Sequence, residues 1–322
     1  MTTLAYTRVG SGEPLLLVHG ITHRRQGWDR VLDRLSQVHD VIAIDLPGHG
    51  DSPDLPAGFD GSARTLTGMV EEFLAGIGVE RPHVAGNSLG GLIALDMAAR
   101  GTARSATGIS PAGFWTPAER VYARALLAGS SALLSRLGTS RIERLLRRAT
   151  GRALLAGFVV AHPSHLEATE IAGDLTGLTT PRASFRVMLA ALAHWTLPGP
   201  SSVPTTVGWG SRDLLLPRRQ LARVREALPD ARVYLLPGCG HVPMGDASDL
   251  VVDLILAGTG HTAPMAHENE WYYCLKHHRV EGWDGCRAAD RLGPYPDRET
   301  ASRALEIARE RTEAEDRRDA ER

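Results

Sequence analysis

Short, continuously apolar runs alternate with stretches of helical spacing from Leu4 to Ala257. Runs at 15–18, 41–44, 83–85, 205–209 and 232–236 predict strands covered on both faces, since a half-exposed strand would alternate apolar and polar positions. Segments 28–35, 65–77, 89–100, 217–227 and 246–256 fit helices, each ending near Gly or a polar turn. Strands alternating with helices predict an α/β protein with a mostly parallel sheet flanked by helices. Between Pro111 and Pro200 the alternation stops and the chain becomes rich in Ala, Leu, Arg, Gly and Ser at helical spacing, which predicts an inserted helical cap over about 111–200. Arginines at 141, 144, 147, 148 and 152 give that cap a basic stripe, read as a solvated helix face.

A second change of character follows Gly258. The expected division is a main domain over 1–258, a linker over 259–268 and a small α+β module over 269–322. In the last helix Ala301, Ala304, Leu305 and Ala308 form a narrow apolar stripe, but nothing larger than Ala follows Ile307 on its apolar side, so its charged end is expected to fray.

With 322 residues, 43% hydrophobic content and a formal net charge of −1, the composition is that of an ordinary globular protein without the basic excess that nucleic acid requires. The start of the chain lacks a basic segment followed by an apolar one, and no run reaches the ~20 apolar residues of a membrane span, so a cytoplasmic location is expected. Three cysteines, Cys239, Cys274 and Cys286, are too few for a disulfide framework and are expected to be reduced thiols.

Candidate chemistry centres on Val84-Ala85-Gly86-Asn87-Ser88-Leu89-Gly90-Gly91, which puts a serine between two glycines with a strand before it and a helix after it. A sharp strand-to-helix turn exposes Ser88, and Gly86 and Gly90 provide the small neighbours that such a turn needs. A serine nucleophile also needs a base and an acid to orient that base, arriving here in the order Ser, Asp, His. Asp213, in Trp209-Gly210-Ser211-Arg212-Asp213, lies just past a strand. His241, in Gly238-Cys239-Gly240-His241-Val242-Pro243, follows the last strand of the main domain. For a developing oxyanion, the Leu89 amide at a helix N-terminus is one expected donor. The Ile21 amide, in the loop His19-Gly20-Ile21-Thr22, is the other. His19 itself is read as a structural histidine that steadies this loop.

Taken in order, His19-Gly20, Asp45-Leu46-Pro47-Gly48-His49-Gly50-Asp51-Ser52, the Ser88 elbow, Gly210-Ser211-Arg212-Asp213 and Gly240-His241 resemble the α/β-hydrolase fold family. That resemblance implies an eight-stranded sheet, a cap over the substrate pocket, a mainly structural 45–52 loop and no cofactor. It further implies hydrolysis of a small-molecule ester or related acyl substrate through an acyl-enzyme on Ser88. A serine at the elbow argues against epoxide or haloalkane hydrolysis, which uses a carboxylate there. Asn87 is similar to the residue before the serine in carbon-carbon bond hydrolases of ring-cleavage products, an alternative weakened by the departure of the 19–25 loop from their Gly-rich pattern. A non-catalytic binding protein built on the same fold is a further alternative. Arg25 is a candidate to hold a substrate carboxylate, and Trp115 and Trp195 at the cap margins are candidate pocket walls.

The C-terminal segments Trp271 to Glu281 and Cys286 to Tyr295 resemble small stand-alone actinobacterial proteins of unknown function, and Leu292 to Ala301 is similar to the second half of SPOR domains, which implies an unidentified partner. Cys274, His277 or His278, and Cys286 offer two sulfurs and an imidazole. With no second C-x-x-C pair, the expectation is a β-hairpin with incidental thiols and no metal.

Overall fold

The computed structural model describes residues 2–192, 195, 199–261, 271–282, 286 and 290–310. The chain forms two compact units, 1–261 and 262–322. In chain order the first contains β1 (Tyr6–Gly10), β2 (Glu13–Val18), α1 (Asp29–Leu35), β3 (His39–Ile44), α2 (Ala63–Gly76), β4 (His83–Asn87), α3 (Leu89–Ala99) and β5 (Ser105–Ile109). The cap follows as α4 (Pro117–Leu137), α5 (Thr139–Leu146), α6 (Ala149–Ala156), α7 (Ala168–Asp174), α8 (Thr176–Thr179) and α9 (Ala183–Ala191). The sheet resumes with β6 (Thr205–Gly210), α10 (Leu221–Ala227), β7 (Arg232–Leu236) and α11 (Ser248–Thr259).

The strand order is β1-β3-β2-β4-β5-β6-β7. Only β1 runs antiparallel to its neighbour. Seven strands, not the eight implied by the resemblance, form this sheet among the described residues. The stretch before β1 is diverted elsewhere: the Ala5 amide donates to Ser52 Oγ (2.9 Å) and the Ala5 carbonyl accepts from the Asp45 amide (2.8 Å). The apolar runs at the centre of β2, β3 and β4 are buried, as continuous hydrophobic strands between two helical layers require. Two strands escaped the hydrophobic pattern. Every residue of β1 is exposed, so it carries no apolar face, whereas β5 is wholly buried but reads Ser-Ala-Thr-Gly-Ile, with a single large apolar residue.

The cap is fastened to the main body at both ends. A capping box of Thr116 and Glu119 starts α4, and the buried Glu119 carboxylate is also gripped by Arg219 and Arg223 at and within the helical segment leading through α10. At the far end Ser184 Oγ donates to the Gly48 carbonyl (2.7 Å), and Arg182 donates to the Ser52 carbonyl (2.9 Å). Arg141, Arg144, Arg147 and Arg148 are exposed, as a solvated face requires. Arg152 instead donates to the carbonyls of Leu146 and Ser164.

The second unit contains β8 (Trp271–Cys274), β9 (Arg279–Gly282), β10 (Arg291–Tyr295) and α12 (Arg298–Ser302), with residues 304–310 also helical. Its sheet is antiparallel in the order β10-β8-β9. Asp297 caps α12 by accepting from the Thr300 amide (2.7 Å). Ala301 and Ala304 of the predicted stripe are buried. The expected linker beyond 261 and the charged end beyond 310 lie outside the described residues.

Candidate active site

Ser88 stands between β4 and α3 with φ 57° and ψ −113°, a strained conformation for a residue with a side chain. Surrounding contacts enforce it. A Cβ on Gly90 would lie 2.0 Å from the Val18 carbonyl oxygen, and one on Gly86 would lie 2.1 Å from that of Gly90, so the turn closes only with glycine at both places. The Ser88 amide donates to the Ile109 carbonyl at 2.9 Å, tying the elbow to the end of β5.

His241 comes from the loop after β7 and Asp213 from the loop after β6. His241 Nδ1 lies 2.8 Å from Asp213 Oδ2, and both side chains are buried. Asp213 Oδ1 accepts the amides of Leu215 (2.9 Å) and Leu216 (2.7 Å), which fixes the carboxylate and leaves its other oxygen for the imidazole. This sets the tautomer, with the proton on Nδ1 and the lone pair on Nε2. His241 Nε2 is buried and has no hydrogen-bond partner among the described residues. It lines the same cavity as Ser88.

The 19–22 loop lies directly against the elbow: a side chain at Gly20 would meet Ser88 Cβ at 3.0 Å. Two neutral histidines hold it. His19 Nε2 accepts from the Leu46 amide (3.0 Å), so Nδ1 carries the proton and donates to the Gly20 carbonyl (2.7 Å). His49 Nε2 accepts from the Thr22 amide (3.2 Å), and its Nδ1 donates to the Pro47 carbonyl (3.1 Å). Burial pushes the His49 imidazole down to about 4 and His19 well below its ordinary value. Ile21 lines the cavity beside Ser88, and neither its amide nor that of Leu89, the first residue of α3, donates to another described residue.

Three residues that sequence reasoning did not assign to the site steady the His241 loop. Asn87 Nδ2 donates to the carbonyls of His241 (2.8 Å) and Ile109 (3.1 Å). Asp246 accepts from the Gly240 amide (2.8 Å) and from the cap amides of Ala161 (3.0 Å) and His162 (2.7 Å). The Val242 amide donates to the Val159 carbonyl at 2.8 Å, a second tie between loop and cap. Burial and the Asp246 carboxylate raise the Cys239 thiol to about 12, keeping it neutral beside this machinery.

The cavity measures about 50 Å³ and is walled mostly by the cap, with Leu127, Phe158, Val160, Ile171 and Leu178 among its apolar residues. His23 and Asp174, 3.5 Å apart, add a polar part to its wall. Arg25 does not reach it. Its guanidinium pairs with buried Asp45 and with Asp51, so a substrate carboxylate would have to displace both partners. Trp115 and Trp195 are likewise absent from the lining. They stack on one another with centroids 6.3 Å apart, and Trp195 Nε1 donates to the Gly61 carbonyl (3.0 Å).

An elbow serine, a carboxylate-fixed imidazole and a capped apolar cavity above a mostly parallel sheet together define a class of enzyme. Residues 15–254 match the alpha/beta hydrolase family, and the chain belongs to that family of enzymes as a hydrolase. It is 34% identical over 206 residues to epoxide hydrolase EphH of Mycobacterium tuberculosis, covering 60% of this chain and 93% of that one. It is 26% identical over 260 residues to lipase 1 of Psychrobacter immobilis, covering 76% of this chain and 75% of the lipase. Among solved structures, a bacterial membrane phospholipase A is similar at a TM-score of 0.64 and 28% identity, with 80% of this chain and 82% of that one covered. No helix among the described residues is long and apolar enough to cross a membrane.

Proposed function

We propose that this hydrolase cleaves small ester or related acyl substrates through Ser88, His241 and Asp213. The observation that carries the proposal is His241: Nδ1 is committed to Asp213, while Nε2 is buried, without a partner among the described residues, and in the wall of the cavity that Ser88 shares. His241 takes the Ser88 proton as Oγ attacks the substrate carbonyl, and Asp213 stabilises the imidazolium that results. The amides of Ile21 and Leu89 receive the oxyanion. His241 then returns the proton to the leaving alcohol, and water attacks the acyl-enzyme by the same route in reverse.

Substrate size follows from the cavity. A cavity of about 50 Å³ walled largely by apolar cap side chains suits a short acyl group better than a long chain. Similarity to an epoxide hydrolase does not redirect the chemistry, because covalent epoxide opening at the elbow needs a carboxylate where this chain has serine. Asn87 gives no support to carbon-carbon cleavage, since its amide nitrogen is committed to two backbone carbonyls. The C-terminal unit, with its antiparallel sheet and helix, is read as a separate SPOR-like appendage. A fluorophosphonate probe tests the central claim. Wild-type protein is expected to be labelled and to hydrolyse short-chain p-nitrophenyl esters, and Ser88→Ala to do neither; a folded wild type that ignores the probe overturns the proposal.

A further inference from the structure

The second unit brings four ligating side chains to one point. Reactive atoms of Cys274, His277, Glu281 and Cys286 all lie within 4.8 Å of one another. His277 Nδ1 is 3.4 Å from Cys274 Sγ and 3.1 Å from Cys286 Sγ. Zinc bonds of about 2.3 Å to sulfur and about 2.0 Å to nitrogen, at tetrahedral angles, put neighbouring sulfur and nitrogen ligands about 3.5 Å apart. The protein alone thus holds the imidazole and both sulfurs close to the edge lengths of such a cage.

Local geometry explains the convergence. Cys274 ends β8, the turn 275–278 reverses the chain, and Glu281 lies on β9, where Tyr272 is its cross-strand partner. Within the turn the His277 amide donates to Cys274 Sγ (3.4 Å), an arrangement that stabilises a thiolate far more than a neutral thiol. His278, the other imidazole of the pair, occupies the left-handed region at φ 49°, and among the described residues no hydrogen bond joins it to either sulfur. It is His277 that faces them.

Without a cation the arrangement is poorly satisfied. One thiol donates to the imidazole lone pair, and the other is left with the neighbouring sulfur, a weak acceptor. Glu281 is only 9% exposed; its Oε1 accepts from the Cys286 amide (2.6 Å), while Oε2 is buried with no partner among the described residues. A buried carboxylate oxygen left unpaired is expensive. A divalent cation would use the imidazole lone pair, both sulfurs and that free oxygen together.

The setting also calls for such a staple. The buried non-polar side chains of this unit are Tyr272, Cys274, Ala301 and Ala304 among its described residues, and two of those are alanines. Units below about 70–80 residues with so thin a core are commonly held by disulfides or a structural metal.

We propose that Cys274, His277, Glu281 and Cys286 bind one zinc ion in a closed, structural site that fastens the β8–β9 hairpin to Cys286. Four protein ligands leave no position for a reacting water, so the site supports folding and not hydrolysis. Binding deprotonates both cysteines and releases their protons to solvent.

Full-length protein, produced with zinc and passed over a chelating resin, is expected to retain one zinc per chain by elemental analysis. With cobalt in place of zinc it is expected to show thiolate-to-cobalt charge transfer and the intense visible bands of a tetrahedral centre. Cys274→Ser with Cys286→Ser should abolish the charge-transfer band, and Glu281→Gln should weaken cobalt binding by at least about tenfold. His278→Ala should retain the spectrum that His277→Ala loses. Wild-type protein decides the matter even where a variant fails to fold. With both thiols confirmed reduced by titration, a wild type that retains no zinc and gives no thiolate-to-cobalt absorption overturns the proposal, as does a His278→Ala variant that loses the spectrum.

Discussion

Acid is expected to destabilise this protein through His49. In the unfolded chain this imidazole takes up a proton near 6.5, whereas burial holds it down to about 4 in the folded protein. Between those values the unfolded state binds more protons, so stability is fully present above 6.5 and falls as pH is lowered toward 4. The interval corresponds to about 3 kcal/mol at its limit and to about 2 kcal/mol already lost at pH 5. Its local consequence is specific: Nε2 accepts from the Thr22 amide, and a proton there sets N–H against N–H in the loop that carries Ile21. Glutamine can present an oxygen to the same amide and does not titrate. Urea unfolding at pH 7 and pH 5 should therefore show wild type losing about 2 kcal/mol more than His49→Gln. Equal losses in the two proteins would refute the assignment of this acid sensitivity to His49. His19 acts in the same direction, so some acid sensitivity remains in the variant.

Two further predictions concern residues whose sequence roles and structural roles differ. Asn87→Ala frees the His241 carbonyl and is expected to lower kcat by about 10- to 100-fold with KM nearly unchanged, as a misplaced base does; a raised KM at constant kcat would show that Asn87 contacts substrate instead. Arg25→Met strips the cation from buried Asp45 and is expected to cost about 3–5 kcal/mol in urea unfolding. The rate ratio between carboxylate-bearing and neutral esters should not change, and a selective loss of the carboxylate-bearing ester would restore Arg25 as a substrate ligand.

Local signals made the main body of the fold readable. Continuous apolar runs announce a buried parallel strand, and a serine between glycines announces a strand-to-helix turn, because each property resides in a few consecutive residues. β5 was hidden since its burial comes from neighbours stacked on Ser105, Ala106, Thr107 and Gly108, not from its own hydrophobicity. β1 was hidden for the opposite reason, as an edge strand with nothing to bury. Asp213 and His241 were legible by motif and order. The duties of Asn87, His49 and Asp246 were not, because each is defined by partners on another loop. Arg25, Trp115 and Trp195 drew attention by residue type, yet their side chains are spent on Asp45, on Asp51, on each other and on Gly61. In the C-terminal unit the missing second C-x-x-C pair argued against a metal, while the hairpin register brings Glu281 to the two thiols, a juxtaposition on which the zinc proposal rests and which cysteine spacing cannot reveal.

Asp246 joins Gly240 to Ala161 and His162, so the cap and the loop that carries His241 share one carboxylate. Displacing the 159–162 stretch would break these bonds and the Val242–Val159 bond beside them, and so disturb the loop that seats His241 opposite Ser88. In the proposed mechanism, opening the cavity and cleaving the bond would then be successive steps, because the hydrogen bonds that close the one also seat the imidazole of the other.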